Sequence, residues 1–289
     1  MKEHPWPFLG SETLAAKALP ERAMRALHEP IYPGVYAPAG IELTAAQRAY
    51  AAWLWSRRKA VVAGNSAAAL LGTKWVSPVL DAELVHDNRR PPRGITVHTD
   101  TLSPHEVLTV SDVAVTTPAR TAFDIGRRTI PRLQAVQRLD ALMNATDVKA
   151  SDVEAIAAEK TGARGVVRLR RILPLVDGGS ESPQETRTRL VLLDAGFPVP
   201  RTQIPVVVPG GYLIARIDIG WEEFLVGVEY DGAQHWTDPM QRNRDIDRHA
   251  ELSENGWTII RVSGDMLRYR QGTLTHRVGS ALTAAGWRP

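Results

Sequence analysis

A chain of 289 residues, 44% hydrophobic and 23% charged, is long enough for two or three domains with their own cores and has the balance of a soluble globular protein. It has no cysteine, which excludes disulfides and thiolate metal sites and points to the cytoplasm; no apolar run approaches the roughly 18 residues of a membrane span, and Met1 to Pro7 lacks the apolar core of a signal peptide. The net charge of +3 is uneven: residues 1–180 hold 23 Lys and Arg against 18 Asp and Glu, whereas residues 181–289 hold 12 Arg, no Lys and 14 acids, so a polyanionic partner suits the front of the chain.

Turn chemistry divides the chain into three expected domains: a winged-helix-like helical segment over 1–75, a mixed strand and helix segment over 76–178, and a last segment over 179–289. The clearest break is Asp177-Gly178-Gly179-Ser180, with a softer one near Thr73 to Pro78. In the first segment Ser11 is placed to cap a helix to Leu19, and Pro20 to open another to about His28. Ile31 to Tyr36 reads as a tight turn between two short strands, so two short helices precede a small hairpin, the order of a winged helix. Ser11, Lys17, Arg22 and Arg25 would then lie near DNA; the other reading is a helical cap with solvated charges. Thr44 caps a longer helix to about Lys59, and Asn65 a short one closed by Gly72.

The middle segment predicts strands at 83–86, 95–98 and 107–115, then helices at about 118–127, 131–144, 151–159 and 165–173. The basic run Asn88-Arg89-Arg90-Pro91-Pro92-Arg93 and the arginines 164, 168, 170 and 171 either touch phosphate or form solvated faces. In the last segment Ser182 caps and Pro183 starts a helix to about Ala195, closed by Gly196. Strands follow at 203–208, 212–219 and 224–230, then a polar helix from about Asp238 to Glu254, a strand at 257–262, and helices from about Gly264 and Thr273. The order is α-β-β-β-α-β, an antiparallel meander joined to a fourth strand by a helical crossover, within an α+β whole.

Two of these apolar strands end in acids that a core would exclude unless something cationic is held there. A hairpin turning near Glu222 and Glu223 sets Asp218 opposite Glu229, with Cβ atoms roughly 4.5–5.5 Å apart. Asp231 shares the face of Glu229, and the same register puts Arg216 opposite Asp231. Such a cluster suits an oxygen-ligated divalent ion such as Mg²⁺, with Mn²⁺ as a substitute. Some of these residues also have a plain alternative, Glu185 as a first-turn acid favoured by the helix dipole, Asp245 as a partner of Arg248 or His235, and His235 as a turn histidine bonded to a backbone carbonyl, whereas Asp218 with Glu229 resists one.

The order and the acids resemble the restriction-endonuclease-like PD-(D/E)XK superfamily, and within it the branch of very-short-patch-repair endonucleases. The motifs are Ser182-Pro183-Gln184-Glu185, Ile217-Asp218, Val228-Glu229-Tyr230-Asp231-Gly232 with His235, Arg244-Asp245 with Arg248, and Gly256-Trp257 with Arg261. The resemblance implies a DNA endonuclease in which Asp218, Glu229 and Glu185 hold Mg²⁺ and Asp231 stands where the general pattern has lysine. It also implies a role for His235, whose imidazole suits a base or acid near neutral pH, and Arg244 and Arg248 would clamp phosphate. Residues 8–72 with the run Pro118 to Asp124 resemble AbiEi-type antitoxins and regulators. That resemblance implies the alternative, a non-catalytic DNA-binding regulator with a degenerate nuclease fold. A carboxylate-pair glycosidase fits poorly, since the sheet offers few aromatic platforms. DNA is the expected partner, with a homodimer or partner protein left open.

Overall fold

The computed structural model describes residues 7–208, 211–232 and 239–288, with only the backbone described for 239–246. The protein is α+β, and its contacts group it into two compact units: residues 1–130 with 145–174, and 131–144 with 175–289. Among the described residues, no helix is long and apolar enough to cross a membrane.

The first unit opens with β1 (Phe8–Leu9), α1 (Gly10–Ala15), α2 (Glu21–Leu27), β2 (His28–Tyr32) and β3 (Val35–Pro38). Two helices and a hairpin come in the expected order, and β1 adds a third strand to give the sheet β1-β3-β2. Ser11 lies inside α1 rather than capping it, because the helix starts one residue earlier with Leu9 in the cap position. Next comes α3 (Ala45–Trp55), which carries the expected Thr44 cap in a full capping box: Gln47 N–H donates to the Thr44 hydroxyl and Thr44 N–H to Gln47 Oε1.

The chain continues through β4 (Val61–Val62), α4 (Gly64–Leu70), β5 (Ala82–Val85), β6 (Ile95–His98), β7 (Val107–Val110) and β8 (Val113–Thr116), which form the sheet β6-β5-β4-β8-β7. The stretch expected as one strand over 107–115 is a hairpin, since Ser111 and Asp112 take φ of 46° and 68°, the turn whose twist matches antiparallel strands. Asn65 does not cap α4; Ala63 holds the cap position and the Asn65 amide donates to Glu83 Oε1 at 2.7 Å. The position 75/76, expected as a boundary, lies between β4 and its partner β5. Leu9, Tyr32 and Val35 of the small sheet share one core with Ala52 and Leu54 of α3 and Leu84, Ile95 and Val115 of the larger sheet. Then come α5 (Pro118–Arg128), α6 (Arg132–Ala145), α7 (Ala150–Glu159) and α8 (Val166–Ile172).

Residues 131–144, which include most of α6, belong to the second unit, where the helix buries Ala135, Val136, Leu139 and Leu142 along with one acid. Asp140, 1% exposed, accepts from Arg189 Nη2 (2.7 Å), the Thr186 hydroxyl (2.8 Å) and Asp177 N–H (2.8 Å). Arg189 and Thr186 lie on α9 (Pro183–Asp194), followed by β9 (Arg201–Val207), β10 (Leu213–Trp221), β11 (Val226–Asp231), α10 (Pro239–Glu254), β12 (Thr258–Ser263), α11 (Gly264–Tyr269) and α12 (Gln271–Ala284). From α9 to β12 this is the expected α-β-β-β-α-β order. The sheet runs β12-β11-β10-β9, with β12 parallel to β11 and the other pairs antiparallel. Gly220 and Gly227 face each other across the hairpin: a Cβ on the first would stand 2.6 Å from the Val226 carbonyl, and on the second 2.8 Å from Ile217 and Ile259.

Charge ties α5 into the first unit. Arg120, 1% exposed, donates through Nε to Asp124 (2.9 Å) and through Nη1 to Glu106 (2.9 Å), and lies 3.4 Å from Asp100. Arg127 reaches Asp124 and Asp100, Arg128 reaches Asp100 at 2.8 Å, and Lys160 reaches Glu106 at 3.2 Å. Burial raises the Glu106 carboxyl, but the Ser103 N–H, Arg120 and Lys160 outweigh it and hold it below the usual carboxylate range. Removing one partner of a buried ion pair costs about 3–5 kcal/mol. Arg120→Met is therefore expected to lower stability by about 3 kcal/mol or more. Arg25→Met, at an exposed pair with Glu21, should change it by less than about 1 kcal/mol; urea titrations of the two variants check this.

Candidate functional site

Of the acids expected to act together, Asp218 lies within reach of the charges of both Glu185 and Glu229 in the second unit. The hairpin register pairs Ile219 with Val228 and Gly220 with Gly227, and one step further along the same register Asp218 faces Glu229. The turn lies at Glu222–Phe224, with Leu225 at φ 48°, as the spacing of the two acids predicts. Ser182 caps α9 by accepting from Glu185 N–H at 3.2 Å, and this places Glu185 in the first turn beside the strands.

Each carboxylate has its own environment. Asp218 Oδ2 accepts from Tyr230 N–H at 2.9 Å. Burial, with the adjacent Glu229 charge and against the pull of that N–H, pushes the Asp218 carboxyl up to about 6. Glu185, 7% exposed, accepts from Glu181 N–H (2.8 Å) and Gln203 Nε2 (3.2 Å). Burial and then the Asp218 charge raise its carboxyl too. Glu229 Oε2 is met by Arg248 Nη2 at 3.0 Å, with His249 Nε2 at 3.8 Å. Asp231 Oδ2 accepts from Arg261 Nη2 at 2.6 Å.

These pairings redistribute the expected roles. Arg248, expected to clamp phosphate, has its guanidinium on Glu229 from α10. Arg216, expected to balance Asp231, lies instead 3.7 Å from Glu181, and Arg261 balances Asp231 from the parallel neighbour β12. His235 lies outside the described residues, as do the side chains of Arg244 and Asp245. Arg22 and Arg25 sit exposed on α2 of the first unit. Among the described residues no three acid or imidazole side chains stand close enough together to hold a metal ion. Arg248 supplies positive charge beside Glu229.

Sequence reasoning missed Gln203. It lies on β9 between Thr202 and Ile204, which pair with Ile219 and Ile217, so it stands across from Asp218 on that side of the sheet. Its φ of 53° is rare for a non-glycine residue and accompanies the side chain that reaches Glu185. Its standing as the one polar residue of the strand expected over 203–208 was the available signal. Glu181 and His249 went unmarked because neither belongs to a motif.

Asp218 makes this cluster pH-sensitive in a definite direction. Its folded value lies above that of the unfolded chain, so its stabilising contribution is complete at low pH and is lost as pH rises through about 6. Asn at this position stays neutral and escapes that loss. In the presence of a chelator, Asp218→Asn is expected to gain on the wild type by about 2 kcal/mol between about pH 4 and about pH 8, measured by urea titration of both proteins.

The family described as AbiEi antitoxin C-terminal domain matches residues 59–175. That span includes the run Pro118 to Asp124 and the α5 charge network, and takes in only the end of the 8–72 stretch expected to carry the resemblance. Two curated relatives are uncharacterized proteins of Mycobacterium tuberculosis, from strain CDC 1551 / Oshkosh and strain ATCC 25618 / H37Rv. Each is 34% identical over 233 residues, covering 78% of this chain and 84% of the relative. No solved structure matches the chain. The chain belongs to the same family as these mycobacterial proteins, with the AbiEi antitoxin C-terminal domain match lying at residues 59–175.

Proposed function

We propose that this protein is a DNA-binding regulator of the antitoxin type, whose C-terminal unit keeps the element order of a nuclease without its chemistry. The observation that carries this reading is the match of residues 59–175 to the AbiEi antitoxin C-terminal domain. The β1 to β3 segment supports it: its strands share a core with the matched segment, and α2 presents Arg22 and Arg25 to solvent. Arg25 pairs with Glu21 at 2.7 Å while both stay largely exposed, a contact worth little in water and easily exchanged for a phosphate. The C-terminal unit supports it as well, since Arg248 and Arg261 neutralise Glu229 and Asp231 internally and no lysine follows Ser180.

A mobility-shift assay on duplexes from upstream of the protein's own gene, against unrelated duplexes, tests this. Preferential, salt-sensitive binding without strand cleavage in Mg²⁺ is the expected result, and failure to bind any duplex overturns the reading. Arg22→Gln with Arg25→Gln should weaken binding and reduce the slope of log affinity against log salt by about 2, at roughly 0.9 per phosphate contact.

One observation favours a second reading, a Mg²⁺- or Mn²⁺-dependent DNA endonuclease: three acids on adjoining elements lie within reach of one another's charge, with Asp218 raising the Glu185 carboxyl and Glu229 raising that of Asp218. For that reading Arg248 must leave Glu229 before Asp218, Glu229 and Glu185 can share a cation. Plasmid nicking in Mg²⁺ or Mn²⁺ that is abolished by Asp218→Ala would establish it. Intact plasmid under all metals, with DNA binding retained, would leave the regulator.

A further inference from the structure

We propose that the connection between β5 and β6 is a second phosphate-binding element for duplex DNA, set beside the β2–β3 hairpin; the proposal rests on the DNA-binding reading above. β5 and β6 are parallel, with Ala82 opposite Ile95 and Val85 opposite His98. The chain must therefore travel back the full length of the strands between Val85 and Ile95, and it does so through residues 86–94 without a helix. Parallel crossovers usually need about a dozen residues or more, most often a helix. This helix-free return is a strap that ends at β6, the outermost strand of the sheet.

The strap is ordered by local hydrogen bonds and tied to other elements at its end. Asp87 N–H donates to His86 Nδ1 at 2.9 Å, Arg90 N–H to Asn88 Oδ1 at 3.0 Å, and Ile95 N–H to the Pro92 carbonyl at 3.2 Å. Pro91 and Pro92 fix their own φ angles. At its end the Gly94 carbonyl accepts from Ala82 N–H (2.9 Å) and from the hydroxyl of Tyr32 (3.1 Å). Tyr32 is buried and belongs to β2, the edge strand of the small sheet, so the strap is tied directly to the hairpin of the winged-helix-like segment. Gly94 has φ of +85° and a Cβ there would meet the Tyr32 ring at 3.4 Å.

On this strap Arg89, Arg90 and Arg93 are exposed, against one acid, Asp87. Elsewhere in the unit Arg120, Arg127 and Arg128 are engaged with its own acids. Four residues apart, Arg89 and Arg93 stand at most about 14 Å from each other, within the rise of about four base pairs at roughly 3.4 Å each. That spacing suits a repeated anionic lattice, where a lone anion would engage one arginine. Fixing the three side chains' backbone in advance reduces the entropy lost on binding.

The test measures duplex affinity by fluorescence anisotropy from about 50 to about 300 mM salt, for the wild type, for Arg89→Gln/Arg90→Gln/Arg93→Gln and for Arg89→Lys/Arg90→Lys/Arg93→Lys. The expected result is that the glutamine variant binds at least tenfold more weakly whatever the sequence, with a salt slope reduced by about 2–3. The lysine variant should keep the slope, which separates lost charge from lost folding. Wild-type binding with an unchanged slope in the glutamine variant overturns this inference and leaves the DNA-binding reading standing. Equal loss in both variants, or a strap dependence seen with RNA and absent with DNA, also overturns it. A wild type that binds no duplex removes both.

Discussion

A guanidinium that is 1% exposed is tolerable when its donors and charge are matched, and Arg120 sets that requirement for the first unit. The acids that match it come from three places: Asp124 one helical turn along α5, Glu106 before β7, and Asp100 after β6. Arg127, Arg128 and Lys160 then share the same acids, so the network links α5 to the sheet and to the end of α7. Helix, strands and loops are held to one geometry because displacing any of them strands a buried charge.

The second unit faces the same constraint with the opposite sign. Its problem is an excess of buried carboxylates, and it is solved by Arg189 at Asp140, Arg248 at Glu229, Arg261 at Asp231 and backbone N–H groups at Asp218 and Glu185. At Glu83, Asp100 and Glu106 of the first unit compensation outweighs burial, and at Asp218 and Glu185 of the second it falls short. In the first, burial is outweighed by cations and hydrogen bonds, and Glu83, Asp100 and Glu106 are held low. These groups stabilise above the unfolded carboxylate range and lose that contribution as pH falls. In the second, burial wins at Asp218 and Glu185, whose contribution is lost as pH rises. Acidification therefore works against the first unit while relieving the acid cluster of the second.

This difference bears on function. Cations of the first unit that are not needed internally lie outside, on α2 and on the β5–β6 strap, where a polyanion can reach them. In the second unit Arg248, which a nuclease reading would aim at phosphate, pairs with Glu229, and Arg261 pairs with Asp231.

Much of this was legible from the amino-acid order, because the forces concerned are local. Thr44, Pro118, Ser182 and Pro183 mark helix starts through contacts within four residues. The equal spacing of Asp218 and Glu229 from the turn determines the hairpin register, since side chains alternate with a period of two. What lay beyond the sequence is long-range. The two-residue β4 exists through its pairing with β5 and β8, the Gln203 backbone takes a left-handed turn beside Glu185, and Asp231 finds Arg261 thirty residues away rather than Arg216. The sequence by itself determined the α-β-β-β-α-β order and which acids would share one end of a sheet. Tertiary structure alone decided which cation meets each acid, because that choice depends on helix placement and burial, and no spacing along the chain encodes either.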